Sequence, residues 1–204
     1  MTVRLHRGDL PDGYRPGPAI AVDTETLGLN PLRDRLCVVQ ISKGDGTADV
    51  VQIPRGGPAP GTLKRVLGNP EVLKIFHFAR FDVAVLLNTL GVLPRPVYCT
   101  KIASKLVRTY TDRHGLKDLV RELLGIEISK QQQSSDWGAE TLTQAQLEYA
   151  ASDVLHLHAL KERLDVLLAR EGREALAAAC FGFLPVRAEL DLLGWADTDI
   201  FAHS

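Results

Sequence analysis

Two carboxylates stand one residue apart where a buried strand is predicted to end, in the stretch AIAVDTETLGLN at 19–30. Because side chains alternate along a strand, Asp23 and Glu25 are expected on one face, where their like charges repel. A divalent cation such as Mg2+ takes carboxylate oxygens and keeps positions open for water and phosphate. The pattern predicts a metal site for phosphate chemistry; the alternative is a strand end that frays into a solvated acidic loop.

A third acid and a tyrosine–aspartate pair occupy positions where they could complete such a site. Asp82 follows the predicted strand 72–78 at the start of a helix, and Tyr149 and Asp153 lie four residues apart in EYAASDV. A spacing of four puts two side chains on one helical face, one turn apart. Alternatively, Asp82 only interacts with the free N–H groups of a helix start, and Tyr149 packs beside a solvated Asp153. The occurrence of all three features in this order favours a joint site.

The elements that must position these side chains are predicted from hydrophobic periodicity and turn residues. A hairpin with Asp45 and Gly46 in its turn indicates that the sheet begins with antiparallel strands. Later segments alternate strand and helix, which predicts an α/β fold with a mixed central sheet flanked by helices. The predicted strands are 3–6, 19–22, 36–42, 48–53, 72–78 and the start of 97–107, and the predicted helices are 63–67, 81–91, the rest of 97–107, 116–124 and 143–169.

Length and composition are those of an ordinary globular protein. The chain has 204 residues, 45% hydrophobic and 24% charged, with a net charge of −1. A single domain over 1–204 is expected, with its catalytic core at about 17–170. The near-neutral charge argues against a protein that coats long nucleic acid by charge alone.

Targeting features are also informative. No run of about 18 apolar residues occurs, so no membrane association is predicted. The first residues lack the apolar core of a signal peptide. Cys37, Cys99 and Cys180 lie in apolar runs and form no CxxC pair. They are expected to be buried reduced thiols, which predicts a cytoplasmic protein.

Three motifs carry a resemblance to a known enzyme family. DTET, FHFARFD and YAASD resemble the exonuclease motifs of the DEDD superfamily, in the branch with a tyrosine in the third motif. The segment from ISKQQQSSDW to YAASDV also resembles ribonuclease D, and almost the whole chain resembles the bacterial nanoRNase C family. The resemblance implies a ribonuclease H-like fold and a 3′-5′ exonuclease. Relatives often have His-Asn where this chain has His77-Phe78, so the side-chain amide that the resemblance would place beside the substrate is absent.

The resemblance also implies a role for each motif residue. Asp23, Glu25 and Asp153 would hold the metal that carries the attacking water, and Asp23 with Asp82 would hold a second. The cofactors would be two divalent metal ions, Mg2+ or Mn2+. Tyr149 would orient the water through its hydroxyl, since a phenol with a pKa near 10 is a poor base.

Substrate contacts are expected next to these motifs. By resemblance, Glu25 and the Thr26 backbone would receive the terminal 3′-hydroxyl. Leu29 matches a leucine that wedges between the last two bases, with a core leucine of the turn as the alternative. His77 is either a phosphate contact or a core histidine. Six cations (Lys101, Lys105, Arg108, Arg113, Lys117, Arg121) and two acids (Asp112, Asp118) occur over 101–121, a run that suits either a solvated face or phosphate binding, with Lys101 nearest the site.

The C-terminal end, 180–204, is rich in large apolar residues for a terminal segment. Pro185 and Gly194 are predicted to break it into short pieces that drape over a surface. We expect a subunit interface, and the alternative is that the tail folds back on its own domain. The resemblance implies a homo-oligomer, a ring-shaped octamer whose interior would limit substrate access.

Two other function classes, an inactive scaffold and a nucleotide-dependent phosphotransferase, fit these features less well. A scaffold on an inactive nuclease fold is expected to have lost a ligand, whereas all four carboxylates and the tyrosine are present. A nucleotide-dependent phosphotransferase would carry a GxxxxGK[ST] loop, which does not occur. The preferred prediction is release of 5′-mononucleotides from very short RNA. Ribonuclease D-type trimming of structured RNA and a DNA 3′-5′ exonuclease are the alternatives.

Overall fold

A six-stranded mixed sheet forms the centre of the protein. The computed structural model describes residues 2–129, 131–132 and 134–203. The strands follow the order β1-β4-β3-β2-β5-β6 across the sheet. They span Thr2–Arg7 (β1), Ala19–Thr26 (β2), Leu36–Ser42 (β3), Thr47–Gln52 (β4), Leu73–Phe76 (β5) and Val97–Cys99 (β6).

Strand directions confirm the predicted mixed sheet. The predicted hairpin is β3–β4, and β2 is also antiparallel to β3. Both β5 and β6 run parallel to β2, and β1 lies parallel to β4 at the edge of the sheet. The antiparallel register places Asp23 opposite Gln40 and Glu25 opposite Val38. The carboxyl ends of β2 and β5 therefore meet at one edge of the sheet.

Helices cover both faces of this sheet. Gly91, in the left-handed region with φ 64°, ends α2 as predicted, because glycine adopts this conformation without strain. A capping box between Thr143 and Gln146 begins α5. The α-helices are Gly61–Gly68 (α1), Ala79–Leu90 (α2), Thr100–Val107 (α3), Leu116–Leu119 (α4), Gln144–Leu155 (α5), Leu157–Arg170 (α6) and Glu174–Leu190 (α7), and π-helical turns follow α4 at Val120–Leu124 and α7 at Asp191–Trp195.

The single helix predicted over 143–169 is wrong. The structure has two helices, α5 and α6, separated at His156, whose backbone N–H bonds to the carbonyl of Val154. Val154 and Leu157 on either side of the break are both fully buried in the same apolar cluster. Apolar spacing therefore continues across the break, and periodicity alone cannot reveal it.

The predicted fragmentation of the C-terminal segment is wrong at Pro185. Helix α7 continues through Pro185 to Leu190, and Leu184 and Ala188 are buried in the main core. Burial of this face against α2 and the sheet offsets the backbone hydrogen bond that proline removes. Gly194, with φ 106°, does interrupt the π-helical turn that follows.

Two further sequence expectations can be compared with the structure. All three cysteines are free, and Cys37 and Cys99 are buried, but Cys180 is half-exposed on α7, so its predicted burial is wrong. None of the described helices is long and apolar enough to cross a membrane. The boundaries of the single domain and its core stay a prediction.

Candidate active site

Three carboxylates from two elements meet at the end of β2. Asp23 and Glu25 are two residues apart on β2, so their side chains point to the same face of the strand. Asp153 approaches them from α5. One ligand oxygen of each lies within 4.8 Å of the others. Ala150 and Ala151 on α5 are fully buried, and their small side chains allow this helix to pack closely on the sheet. Two neighbouring elements thus bring three negative charges to one point.

Asp82 completes the acidic group from the opposite side. It lies in the first turn of α2, is buried, and stands outside the 4.8 Å trio. The hydroxyl of Thr24 donates a hydrogen bond of 2.7 Å to Asp82 Oδ1. Thr24 lies between Asp23 and Glu25 in the sequence, and strand alternation turns it toward α2. Sequence reasoning missed this residue, although its position inside DTET could have indicated it.

The electrostatics of the four carboxyls favour a cation. Burial and the nearby acids Asp82, Asp153 and Glu25 raise the pKa of Asp23 well above its usual range. Burial and the charges of Asp153 and Asp82 raise the pKa of Glu25 to about 9. Burial raises the pKa of Asp82 to about 7, although the Thr24 hydrogen bond opposes the change. Oxygen ligands that repel one another in this way suit a hard divalent ion, which replaces bound protons.

Tyr149 lies one helical turn before Asp153 and faces the same group. Burial, followed by the charges of Asp153, Glu25 and Asp23, raises the pKa of its phenol. The hydroxyl is therefore protonated at neutral pH and can donate a hydrogen bond. The centroid of its ring lies 6.0 Å from that of Trp137.

A cleft of about 680 Å³ opens above these residues, within the range of small-ligand sites. It is lined by three of the four acids, by Tyr149, and by Thr26, Leu29, His77 and Lys101. Asp82 is not part of this lining and lies beneath it. The structure thus places eight of the nine predicted site residues around one cleft, and the ninth, Asp82, is buried.

His77 and Lys101 lie on the β5–α2 side of the cleft. His77 Nδ1 is 2.9 Å from the Thr100 hydroxyl, which itself donates to the Phe76 carbonyl at 3.2 Å. Nδ1 is therefore the donor in the first bond, which fixes the orientation of the ring. Lys101 Nζ lies 4.4 Å from the ring centroid of Phe78, a cation–π contact at the edge of the cleft.

The end of β2 presents Thr26 to the cleft, and the loop that follows presents Leu29. Leu29 is 88% exposed, so the alternative of a core leucine is wrong. The Thr26 hydroxyl donates to the Gly28 carbonyl and thereby tightens the turn. An exposed leucine on a tight turn beside the acids can contact the bases of a bound strand.

The basic run over 101–121 divides among several environments. Lys101 and Lys117 line the cleft, whereas Arg121 pairs with Asp118 at the surface. Arg108 is almost fully buried and binds Glu122. Sequence reasoning therefore missed Lys117 as a cleft residue, because charge spacing does not distinguish the inward helix face.

The irregular segment 126–143 supplies a wall of the cleft that was not predicted. Its cleft-lining members include Ile128, Ser129 and Trp137. The segment contains neither helix nor strand in its described part, so periodicity carried no signal for it. The Ser-Asp-Trp sequence within the ribonuclease D-like stretch was the available indication.

Comparisons with known proteins agree with this site. A family model described as 3′-5′ exonuclease matches residues 12–169. Ribonuclease D of Granulibacter bethesdensis is 36% identical over 162 residues, which are 79% of this chain and 40% of that protein. The chain thus spans about two-fifths of the length of such relatives.

Solved structures extend the similarity to the whole chain. Brucella melitensis NrnC with bound Mg2+ is 63% identical, with a TM-score of 0.95 and full coverage of both chains. NrnC of the same organism bound to pGG is 64% identical, with a TM-score of 0.96 and full coverage of both chains. Escherichia coli RNase D is 30% identical, with a TM-score of 0.75 over 84% of this chain and 45% of that one. The protein therefore belongs to the 3′-5′ exonuclease family, together with NrnC and ribonuclease D, and has their ribonuclease H-like fold.

Proposed function

We propose that the protein is a two-metal-ion 3′-5′ exoribonuclease that releases 5′-mononucleotides from very short RNA. The observation that carries the proposal is the trio of Asp23, Glu25 and Asp153, whose ligand oxygens lie within 4.8 Å of one another. Asp82 lies next to this trio, and its charge contributes to the raised pKa of Asp23. This arrangement suits two cations that share the Asp23 carboxylate.

The carboxylates would hold the ions in a defined order. Asp23, Glu25 and Asp153 would bind the first ion, and Asp23 and Asp82 the second. When bound, two divalent ions, Mg2+ or Mn2+, supply positive charge to the scissile phosphate and lower the pKa of the attacking water. Thr24 keeps Asp82 oriented through its hydrogen bond.

The reaction is a hydrolysis at the last phosphodiester bond. The water oxygen forms a bond to phosphorus, and the bond from phosphorus to the 3′ oxygen of the preceding nucleotide breaks. That oxygen takes up a proton, so the products are a 5′-mononucleotide and a chain one residue shorter. Tyr149 stays protonated because its pKa is raised, so it orients the water through its hydroxyl rather than removing a proton.

The remaining cleft residues would hold the substrate. Glu25 and the Thr26 backbone would receive the terminal 3′-hydroxyl, and Leu29 would insert between the last two bases. His77 and Lys101 would contact a phosphate from the opposite wall. Their places in one cleft with the acids support these roles.

An activity assay with a ligand variant tests the chemistry. Asp23→Ala should lower the rate by about three orders of magnitude or more, because one carboxylate would serve both ions. Circular dichroism should show that this variant remains folded. Near-wild-type turnover in Asp23→Ala, or full activity in excess EDTA, would contradict the proposal.

A preference for very short RNA is supported by the likeness to NrnC, including the complex of that protein with pGG. A time course on 5′-labelled RNA of two to about twenty nucleotides, with matched DNA, tests it. We expect the dinucleotide to be degraded fastest. Faster degradation of a structured tRNA precursor would favour ribonuclease D-type trimming, and equal use of DNA would favour a general 3′-5′ exonuclease.

We also propose that the C-terminal segment 180–204 takes part in a homo-oligomer, a ring-shaped octamer. Leu193 and Phe201 are 71% and 76% exposed, and Trp195 and Ile200 are also exposed. Such a concentration of exposed large apolar side chains indicates an interaction surface. The free state of all three cysteines supports a cytoplasmic location for this assembly.

Light scattering on point variants tests the assembly. Truncation after Ala179 is unsuitable, because it removes Leu184 and Ala188 from the core. Leu193→Asp and Phe201→Asp leave the core intact and should dissociate the oligomer. A monomeric wild-type protein at micromolar concentration would reject the interface.

A further inference from the structure

Trp137 anchors the irregular wall of the cleft. It is 2% exposed although it lies outside any helix or strand. Its ring centroid lies 6.0 Å from that of Tyr149, and the two planes are tilted by 40°. Aromatic rings attract one another at this separation and tilt. Trp137 therefore contacts the residue whose hydroxyl faces the acids.

Two glutamines fix the backbone on either side of the indole. The side-chain amide of Gln146 on α5 donates a hydrogen bond of 3.1 Å to the carbonyl of Asp136, just before Trp137. Gln146 is also part of the capping box that begins α5, and it precedes Tyr149 by three residues. Gln52 at the end of β4 donates to two carbonyls just after Trp137, at 2.9 and 3.2 Å. Trp137 is thus held in a frame shared by the sheet and by the helix that carries Tyr149.

The indole nitrogen of Trp137 has no hydrogen-bond partner among the described residues. An indole N–H can only donate, so burying it without an acceptor is unfavourable. A phenylalanine would occupy most of the same apolar site without this penalty. Compared with phenylalanine, tryptophan adds the width of the indole. Filling the apolar site does not require this extra width, so we attribute it to a different role.

We propose that Trp137 is a positioning residue for the reaction, whose indole packs against the Tyr149 ring and sets the place of its hydroxyl. This inference rests on the proposed function, in which that hydroxyl orients the attacking water. The Tyr149 ring contacts the indole, and its hydroxyl is close enough to Asp153 and Glu25 for their charges to raise its pKa. A narrower side chain at 137 would let the ring tilt away from the carboxylates.

Trp137→Phe tests this with readouts that a purely structural role would not move. We expect kcat on a dinucleotide to fall by about tenfold or more, since misplacement by about 1 Å can lower rates by about a hundredfold. The KM and the Kd for Mg2+ measured by calorimetry should stay unchanged, and the Tm should be unchanged or higher. The matched control is Val50→Ala in the same apolar cluster, which should lower the Tm and leave kcat unchanged.

A double-mutant cycle with Tyr149→Phe decides the mechanism. Once the hydroxyl is absent, its placement no longer matters, so Trp137→Phe should cause no further loss of kcat in that background. Losses that multiply, or a wild-type kcat for Trp137→Phe alone, would overturn the inference and leave the proposed function standing. A wild-type kcat for Tyr149→Phe would overturn both the inference and the water-orienting role proposed for Tyr149.

Discussion

The acidic site predicts that the protein without divalent ions loses stability as the pH rises. Burial and neighbouring carboxylates raise the pKa of Asp23 well above its usual range and that of Glu25 to about 9, and burial raises that of Asp82 to about 7. In the unfolded chain these groups lose their protons near pH 4. Above that pH the folded state binds more protons than the unfolded state, so the free energy of unfolding decreases as the pH rises.

The window from about pH 6.5 to 8 isolates this effect. Below this window, His156 and His158 make the free energy of unfolding rise with pH, because burial lowers their pKa values. Above this window, Lys74 also makes the free energy of unfolding rise with pH, because burial lowers its pKa to about 8. Each proton kept only by the folded state destabilises it by about 1.4 kcal/mol per pH unit, or about 2 kcal/mol over the window. At roughly 2–4 °C per kcal/mol for this chain length, the Tm should fall by about 4–8 °C per retained proton.

Thermal unfolding followed by circular dichroism in EDTA measures this slope directly. Excess Mg2+ should flatten it, because the cation replaces the protons that the carboxyls hold. Glu25→Gln should reduce the fall in Tm by about the amount that one retained proton contributes, since the amide does not titrate. A Tm in EDTA that stays constant or rises across the window would refute the electrostatic description of the site.

Three substitutions test other contacts. Thr24→Val removes the donor to Asp82 and should weaken Mg2+ binding by about 10–100-fold, measured by calorimetry, with Thr24→Ser as the control; an unchanged Kd would contradict it. Lys74→Met should destabilise the protein by about 1–3 kcal/mol in urea unfolding, because three backbone carbonyls, one of them in a fully buried hydrogen bond, lose their shared donor; an equally stable variant would show that these bonds contribute nothing. Arg108→Met should destabilise by about 1–3 kcal/mol through the same loss of buried hydrogen bonds, and an unchanged urea midpoint would exclude it.

Elements with strong periodicity or clear turn residues were predicted well from the sequence. The strand containing Asp23 and Glu25, the β3–β4 hairpin and the helix ending at Gly91 are all found in the structure. In each of them a local signal, such as alternation, a turn or a C-terminal glycine, coincides with the tertiary requirement. Because each acid lies on the predicted type of element, the sequence alone indicates that the acids come from adjoining elements.

The misses arise where tertiary packing overrides local signals. Pro185 would end an isolated helix, but burial of Leu184 and Ala188 keeps α7 continuous. The break at His156 lies between two segments with the same buried face, so the apolar spacing gave no sign of it. Trp137 lies in a segment without regular structure, where contacts across the chain decide its position.

The backbone at Phe78 has a consequence for how this protein can change. Phe78 has φ 70°, in the left-handed region, at the start of α2, and its side chain is 46% exposed. A bulky residue in that conformation costs about 1–3 kcal/mol, whereas asparagine or glycine adopts it with less strain. Selection for heat resistance alone should therefore replace Phe78 early. Such a replacement would also remove the ring that Lys101 contacts at the edge of the cleft.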